Sequence, residues 1–181
     1  MRKVRPFAAV LLSVLFSGCA GNAAWKRDAE IGDRALRHGR LPESEVALIA
    51  ALARAEAFGD DDPRLASALN ALGDLRAAQG APARAEPLYR RALTILEKTA
   101  GPDDPETTAA LAYLAEACAA QGKSAEAEKL LRRALASAKK DPARRVAEIS
   151  AREADLAALE RGLGRDDLAV ASYRRALAAT E

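Results

Sequence analysis

Leucines and alanines recur along this chain at the spacing of a helix face, with charged residues filling the positions between them. Leu65, Leu69, Leu72 and Leu75 fall three and four residues apart; beyond Gly80 the same rhythm resumes with Leu88, Ala92, Leu93 and Leu96. Such spacing predicts two amphipathic helices that bury one stripe each. A glycine between them suits an antiparallel turn, because the turn needs a residue that tolerates positive φ.

The pattern repeats. The segment from Ala85 to Leu93 returns 42 residues later from Ala127 to Leu135, and again from Ala169 to Leu177. Gly39, Gly80, Gly122 and Gly164 close the first helix of four successive units. Between units the chain is acidic and prolyl, at residues 59–63 and 101–105; Asp62 and Asp104 are placed as N-caps ahead of Pro63 and Pro105 at the first helical position. Small residues recur as regularly as large ones: Ala85, Ala127 and Ala169, then Tyr89, Leu131 and Tyr173, then Ala92, Ala134 and Ala176. Small-against-large alternation lets paired helices interlock. The expected units span about residues 24–58, 63–100, 105–140 and 143–181, the first degenerate, together one domain over 24–181.

These residues carry a resemblance to the tetratricopeptide repeat, marked by a Leu-Gly pair in the first helix and an alanine, an aromatic and an alanine in the second. Leu72-Gly73, Ala85, Tyr89 and Ala92 match throughout; the other units carry Ile31-Gly32, Ser44, Leu48 and Ala51, then Leu114-Ala115, Ala127, Leu131 and Ala134, then Leu156-Ala157, Ala169, Tyr173 and Ala176. The 42-residue period and the acidic-prolyl loop resemble the kinesin-light-chain type. The resemblance implies an all-α, right-handed superhelical solenoid of about four helix-turn-helix repeats, with Pro87 tolerated inside its helix at the expense of a mild bend.

It also implies a concave groove lined by the first helices. Carried over position by position, that groove holds Ser67, Asn70, Asp74 and Ala77, then Ala109, Ala112, Glu116 and Ala119, then Ala151, Ala154, Ala158 and Arg161. Asn70, Asp74, Ala112, Glu116, Ala158 and Arg161 are the expected partner-binding residues. The lysines and asparagines that clamp a terminal carboxylate in chaperone-binding relatives are missing, so a helix or an extended apolar segment of a protein partner is the expected occupant. The alternative is that these positions only face water. The last helix runs to Glu181 with no capping helix after it, and solenoids generally need one. Either Arg174, Arg175 and their neighbours solvate that end or another chain covers it, as in a homodimer.

The first eighteen residues follow a different logic. Arg2, Lys3 and Arg5 precede an apolar run from Phe7 to Phe16, followed by Ser17 and Gly18; this reads as a signal peptide, too short to span a bilayer, with a buried helix as the alternative. Residues 15–19 resemble the lipobox of bacterial lipoproteins, with Phe16 a departure from the usual leucine. The resemblance implies cleavage before Cys19, a lipid on Cys19 and membrane attachment by several acyl chains. An ordinary cleaved signal or an uncleaved anchor are the alternatives. Residues 20–23 read as a short tether, and Ala20 leans the expectation towards the outer membrane, facing the periplasm.

Composition narrows the function. Of 28 basic and 26 acidic residues, three basic ones lie in residues 1–18, leaving 25 against 26 from Cys19 onwards. No basic footprint for nucleic acid remains. Aromatic residues make up 4%, and the abundance of Ala, Leu, Arg and Glu favours helix. Cys118, flanked by alanines, reads as a small buried side chain. The single histidine, His38, sits at a helix end beside Gly39, where it complements the dipole. Asp60, Asp61 and Asp62 lack the spacing of a calcium loop, and the pairs Glu43/Glu45 and Glu126/Glu128 stand two apart and do not face each other. The expectation is a non-catalytic interaction scaffold in the cell envelope, without metal or cofactor beyond the lipid on Cys19. A self-assembling envelope component using the last helix is the alternative.

Overall fold

The structure is a computed structural model that describes the backbone of residues 7–141 and 146–179, with side chains from residue 21 onwards over the same ranges. Eight helices follow one another among the described residues: α1 (Phe7–Arg37), α2 (Leu41–Glu56), α3 (Pro63–Ala78), α4 (Pro82–Thr99), α5 (Pro105–Ala120), α6 (Ser124–Ala138), α7 (Val146–Gly162) and α8 (Asp166–Ala178). They pack as four hairpins, α1/α2, α3/α4, α5/α6 and α7/α8, and each hairpin stacks on the next through α2/α3, α4/α5 and α6/α7. No strand occurs among the described residues, and the chain is an all-α repeat solenoid.

The turns inside the hairpins are four copies of one geometry. Gly39, Gly80, Gly122 and Gly164 have φ of +69°, +71°, +77° and +68°. The residue after each glycine donates its N–H five residues back, Arg40 to Ala35, Ala81 to Arg76, Lys123 to Cys118 and Arg165 to Glu160, all at 2.9 Å. A left-handed residue followed by this back-bond closes a helix and reverses the chain at once. Between hairpins, Asp62 accepts from the N–H of Arg64 at 2.9 Å and Asp104 from that of Glu106 at 2.8 Å. Pro63 and Pro105 occupy the first helical positions as expected.

The recurring alanines are where the paired helices meet: Ala85 and Ala127 are fully buried and Ala169 nearly so. The opposing helix is equally bare. A Cβ added to Gly73 would stand 2.5 Å from Cε1 of the Tyr89 ring, and one on Gly32 would collide with Leu48. Leu65, Leu69, Leu72 and Leu75 of α3 are buried, as are Ala92, Leu93 and Leu96 of α4. α4 continues through Pro87 without a break.

The structure departs from expectation in three places. Residues 20–23, expected as a tether, lie inside α1, and Gly21 stands within van der Waals reach of the Phe58 ring. The side chains of residues 1–20, Cys19 included, are outside the described residues, as are residues 142–145 at the start of the fourth unit. The fourth hairpin replaces apolar contacts with polar ones. Glu153 takes the position of the buried Leu69 and Leu111, bonded to Lys139 at 2.8 Å and Arg175 at 2.9 Å. Tyr173, unlike Tyr89 and Leu131, is 40% exposed, because its outer side meets no further helix among the described residues. No helix of the described residues is long and apolar enough to cross a membrane.

Candidate functional site

Because each unit repeats the same hairpin, positions one period apart fall in columns along the solenoid. The first helices, α1, α3, α5 and α7, line two neighbouring concavities. One, of about 430 Å³, is bounded by Asp33 and Arg37 of α1, Ser67, Asn70 and Asp74 of α3, and Glu106, Ala109 and Tyr113 of α5. The other, of about 530 Å³, lies between α5 and α7, bounded by Ala112, Tyr113, Glu116, Ala119, Arg152, Asp155, Ala158 and Leu159. Tyr113 borders both. Its ring stacks on that of Tyr89, with centroids 5.8 Å apart and planes at 29°, joining one unit to the next at the floor of the groove.

Asp33, Asp74 and Glu116 occupy the same position in three successive units, and Ala158 stands there in the fourth. The Tyr89 hydroxyl donates to Asp74 Oδ1 at 2.7 Å. Burial raises the Asp74 carboxyl above the ordinary carboxylate range; the Tyr89 bond opposes this, while the charges of Asp33 and Glu116 add to the rise. Burial also raises Asp33, partly offset by the charge of Arg37. At the far end Arg152 and Asp155 pair at 3.0 Å, yet burial still keeps the Asp155 carboxyl above its usual value. Asn70 Oδ1 is shielded from solvent and has no hydrogen-bond partner among the described residues.

Five of the six expected partner-binding residues line these cavities: Asn70, Asp74, Ala112, Glu116 and Ala158. Ser67, Ala109 and Ala119 join them. Arg161 does not; it is exposed in the last turn of α7, where its carbonyl accepts from Gly164 and closes the turn. Ala77, Ala151 and Ala154 also lie outside both cavities. Sequence reasoning missed Asp33, Arg37, Tyr113, Arg152 and Asp155. Asp33 was legible, since it follows Gly32 as Asp74 follows Gly73; Tyr113 was not, because its column holds Ala71 and Asp155 in the neighbouring units.

A second column runs along the outer edge. Glu45 accepts from Arg76 at 2.8 Å and Gln79 at 3.1 Å; Glu86 accepts from Lys123 at 2.6 Å, Gln121 at 2.7 Å and Arg90 at 2.7 Å; Glu128 pairs with Arg132 at 2.6 Å and Arg165 at 3.1 Å. Each glutamate thereby bonds to the turn of the following unit. Lys123, then Arg90 and Gln121, hold the Glu86 carboxyl down at about 2. Cys118 lies buried beside Glu86 and Glu126, the three donor atoms within 4.8 Å of one another, a grouping that sequence spacing concealed. Glu86 is already saturated by cations and burial pushes the Cys118 thiol up, so this set suits an interlock between units better than an ion.

A family model of the tetratricopeptide repeat matches residues 30–98 and 84–140. Among solved structures, BtubC (BKLC) from P. vanneervenii superposes with a TM-score of 0.77 at 20% identity, over 86% of this chain and 63% of that one. The chain thus spans less than two thirds of that relative's length. The nearly identical TPR-like repeats of a kinesin light chain from Podosopora anserina superpose with a TM-score of 0.58 at 20% identity, over 86% of this chain and 94% of that one. At this identity the likeness concerns the fold alone. No curated protein matches the sequence.

Proposed function

Since the chain belongs to the tetratricopeptide repeat family, whose domains typically bind protein partners, we propose that it is a non-catalytic scaffold docking a partner segment in the groove along α1, α3, α5 and α7. The observation that supports this most is the pair of adjoining cavities that share Tyr113 and collect five residues expected from the repeat register. A photoreactive residue at Ala158, exposed in the groove, tests it against one at Lys129, exposed on α6. Adducts to another protein from Ala158 and none from Lys129 are expected. Equal labelling from both would overturn the groove as the docking face.

The site of action in this proposal is the cell envelope, with Cys19 lipidated and the groove facing the periplasm. Support comes from the charged, apolar and small segments of residues 1–18 and from the lipobox-like residues 15–19. The mass of the purified protein decides: it should lack residues 1–18 and carry a lipid increment that Cys19→Ser abolishes. A mass without that increment overturns the anchor.

A second reading, self-association through α8, draws on a specific feature. Val170, Tyr173 and Leu177 form one stripe of α8 and are 48%, 40% and 64% exposed. In the inner hairpins the counterparts of Tyr173 and Leu177 are covered by the next first helix, as Tyr89 and Leu93 are. Light scattering should then give a dimer that Tyr173→Lys with Leu177→Lys dissolves; a monomer at tens of micromolar argues against it.

A further inference from the structure

We infer that the segment docked in this groove is an extended peptide carrying lysine or arginine side chains, whose cations lie along Asp33, Asp74 and Glu116 and over the exposed ring of Tyr113. This rests on the docking reading above and adds the sign and form of the partner. The groove and the outer edge each carry a column of repeated carboxylates, and the contrast between them is the first argument. Every glutamate of the outer column has its own cation: Arg76 on Glu45, Lys123 and Arg90 on Glu86, Arg132 and Arg165 on Glu128. In the groove, among the described residues, no ion pair within 4 Å serves Asp33, Asp74 or Glu116. Asp74 has only the neutral hydroxyl of Tyr89.

Leaving Asp33 and Asp74 partly desolvated with no ion pair within 4 Å, the charge of Arg37 only partly offsetting the first, costs free energy that a cation from outside would recover, and the exposed Glu116 extends the column. The shape of the column says what kind of cation. Among the described residues the only three metal-type donors within 4.8 Å of one another are those of Glu86, Cys118 and Glu126. The groove carboxylates therefore do not converge on a single ion; they are strung one per repeat, which suits charges spaced along a chain. Ala109, Ala112 and Ala119 leave room at the floor for side-chain stems. Tyr113, 39% exposed and backed by Tyr89, offers a ring face to a passing guanidinium or ammonium. The column ends at Ala158, and α7 brings Arg152 in its place, so the cationic stretch is confined to the first three units.

The test uses the full chain in non-ionic micelles and three labelled peptides that alternate alanine with lysine, glutamine or glutamate, followed by anisotropy. The lysine peptide is expected to bind at least about tenfold more tightly than the other two, a difference of about 1.4 kcal/mol. Its binding should weaken in about 1 M salt, where the Debye length is about 3 Å. Asp33→Asn with Glu116→Gln should lower its affinity about fivefold or more at an unchanged melting temperature, whereas Glu56→Gln, outside the groove, should leave it intact. A glutamate peptide that binds as well, or lysine-peptide binding undiminished in the double variant, overturns the inference. Adducts from a photoreactive residue at Ala109, in the cavity that holds Asp33 and Asp74, to a lysine- and arginine-free segment would overturn the cation while sparing the groove; equal labelling from Ala158 and Lys129 would take down both.

Discussion

The hydroxyl of Tyr89 in α4 donates a 2.7 Å hydrogen bond to Asp74 in α3, while the Tyr89 ring lies against the bare backbone of Gly73, one residue earlier. One side chain thus fills the closest approach between two helices and reaches past it to the floor of the groove. The same residue stacks on Tyr113 of the next unit, so packing and candidate site are coupled at this point.

The hydrogen bond makes a pH-dependent prediction. Burial raises the Asp74 carboxyl, so its ionisation weakens the fold as pH rises from the ordinary aspartate value through the raised one. Tyr89 opposes that rise. Tyr89→Phe should therefore destabilise by about 1 kcal/mol near neutral pH and by less near pH 4, where Asp74 is protonated for more of the time. Urea unfolding at pH 4 and pH 8 measures it; a loss independent of pH would refute the role given to the bond.

Gly73→Ala should destabilise although alanine is the better helix former by about 1 kcal/mol, because its Cβ would meet the Tyr89 ring at 2.5 Å. A net loss of about 1–3 kcal/mol is expected from the forced displacement. The third unit uses Ala115 and Leu131 at these two positions. Tyr89→Leu should accordingly relieve most of the Gly73→Ala penalty, and a double-mutant cycle by thermal unfolding reads the coupling.

Glu86 works in the opposite direction from Asp74. Its carboxyl is held at about 2 by Lys123, Arg90 and Gln121, against an ordinary 4.5, so its stabilisation is complete above 4.5 and lost as pH falls towards 2. Glu86→Gln should cost about 1 kcal/mol at pH 7, reduced by solvent screening, and flatten the acid limb of the unfolding midpoint. An unchanged acid limb would show that the outer column contributes no coupling between units.

Glu153 provides a test of what the fourth unit gains from polarity. Burial pushes its carboxyl up, but the bonds and charges of Lys139 and Arg175 outweigh this and hold it below the usual range. Leu69 and Leu111 fill the same position elsewhere, and both cations are about half exposed, free to turn to water. Glu153→Leu is expected to be neutral or stabilising, Glu153→Ala to lose about 1–3 kcal/mol through the space it leaves. Chemical denaturation of both variants decides; a large loss in Glu153→Leu would make the ion triad essential.

The hairpins, their caps and their order were legible in the chain because each depends on local chemistry. A glycine at Gly39, Gly80, Gly122 or Gly164 needs only its own freedom at positive φ, and Asp62 and Asp104 cap through the second residue onward. The resemblance to the tetratricopeptide repeat then placed Asn70, Asp74, Ala112, Glu116 and Ala158 along the groove it implies for the first helices. What remained hidden depends on distance between units. Tyr113 becomes the centre of the groove only when α5 stacks on α4, and its column in the sequence holds nothing similar. Cys118 meets Glu86 and Glu126 across two helix contacts, and Glu153 finds its cations at the C-terminal cap of α6 and on α8. The partial exposure of Val170, Tyr173 and Leu177 likewise appears only when the surfaces that cover their counterparts are seen. Sequence periodicity fixes which residues share a face, because that follows from helical geometry; which faces meet, and which charges then find partners, is set by how the hairpins stack.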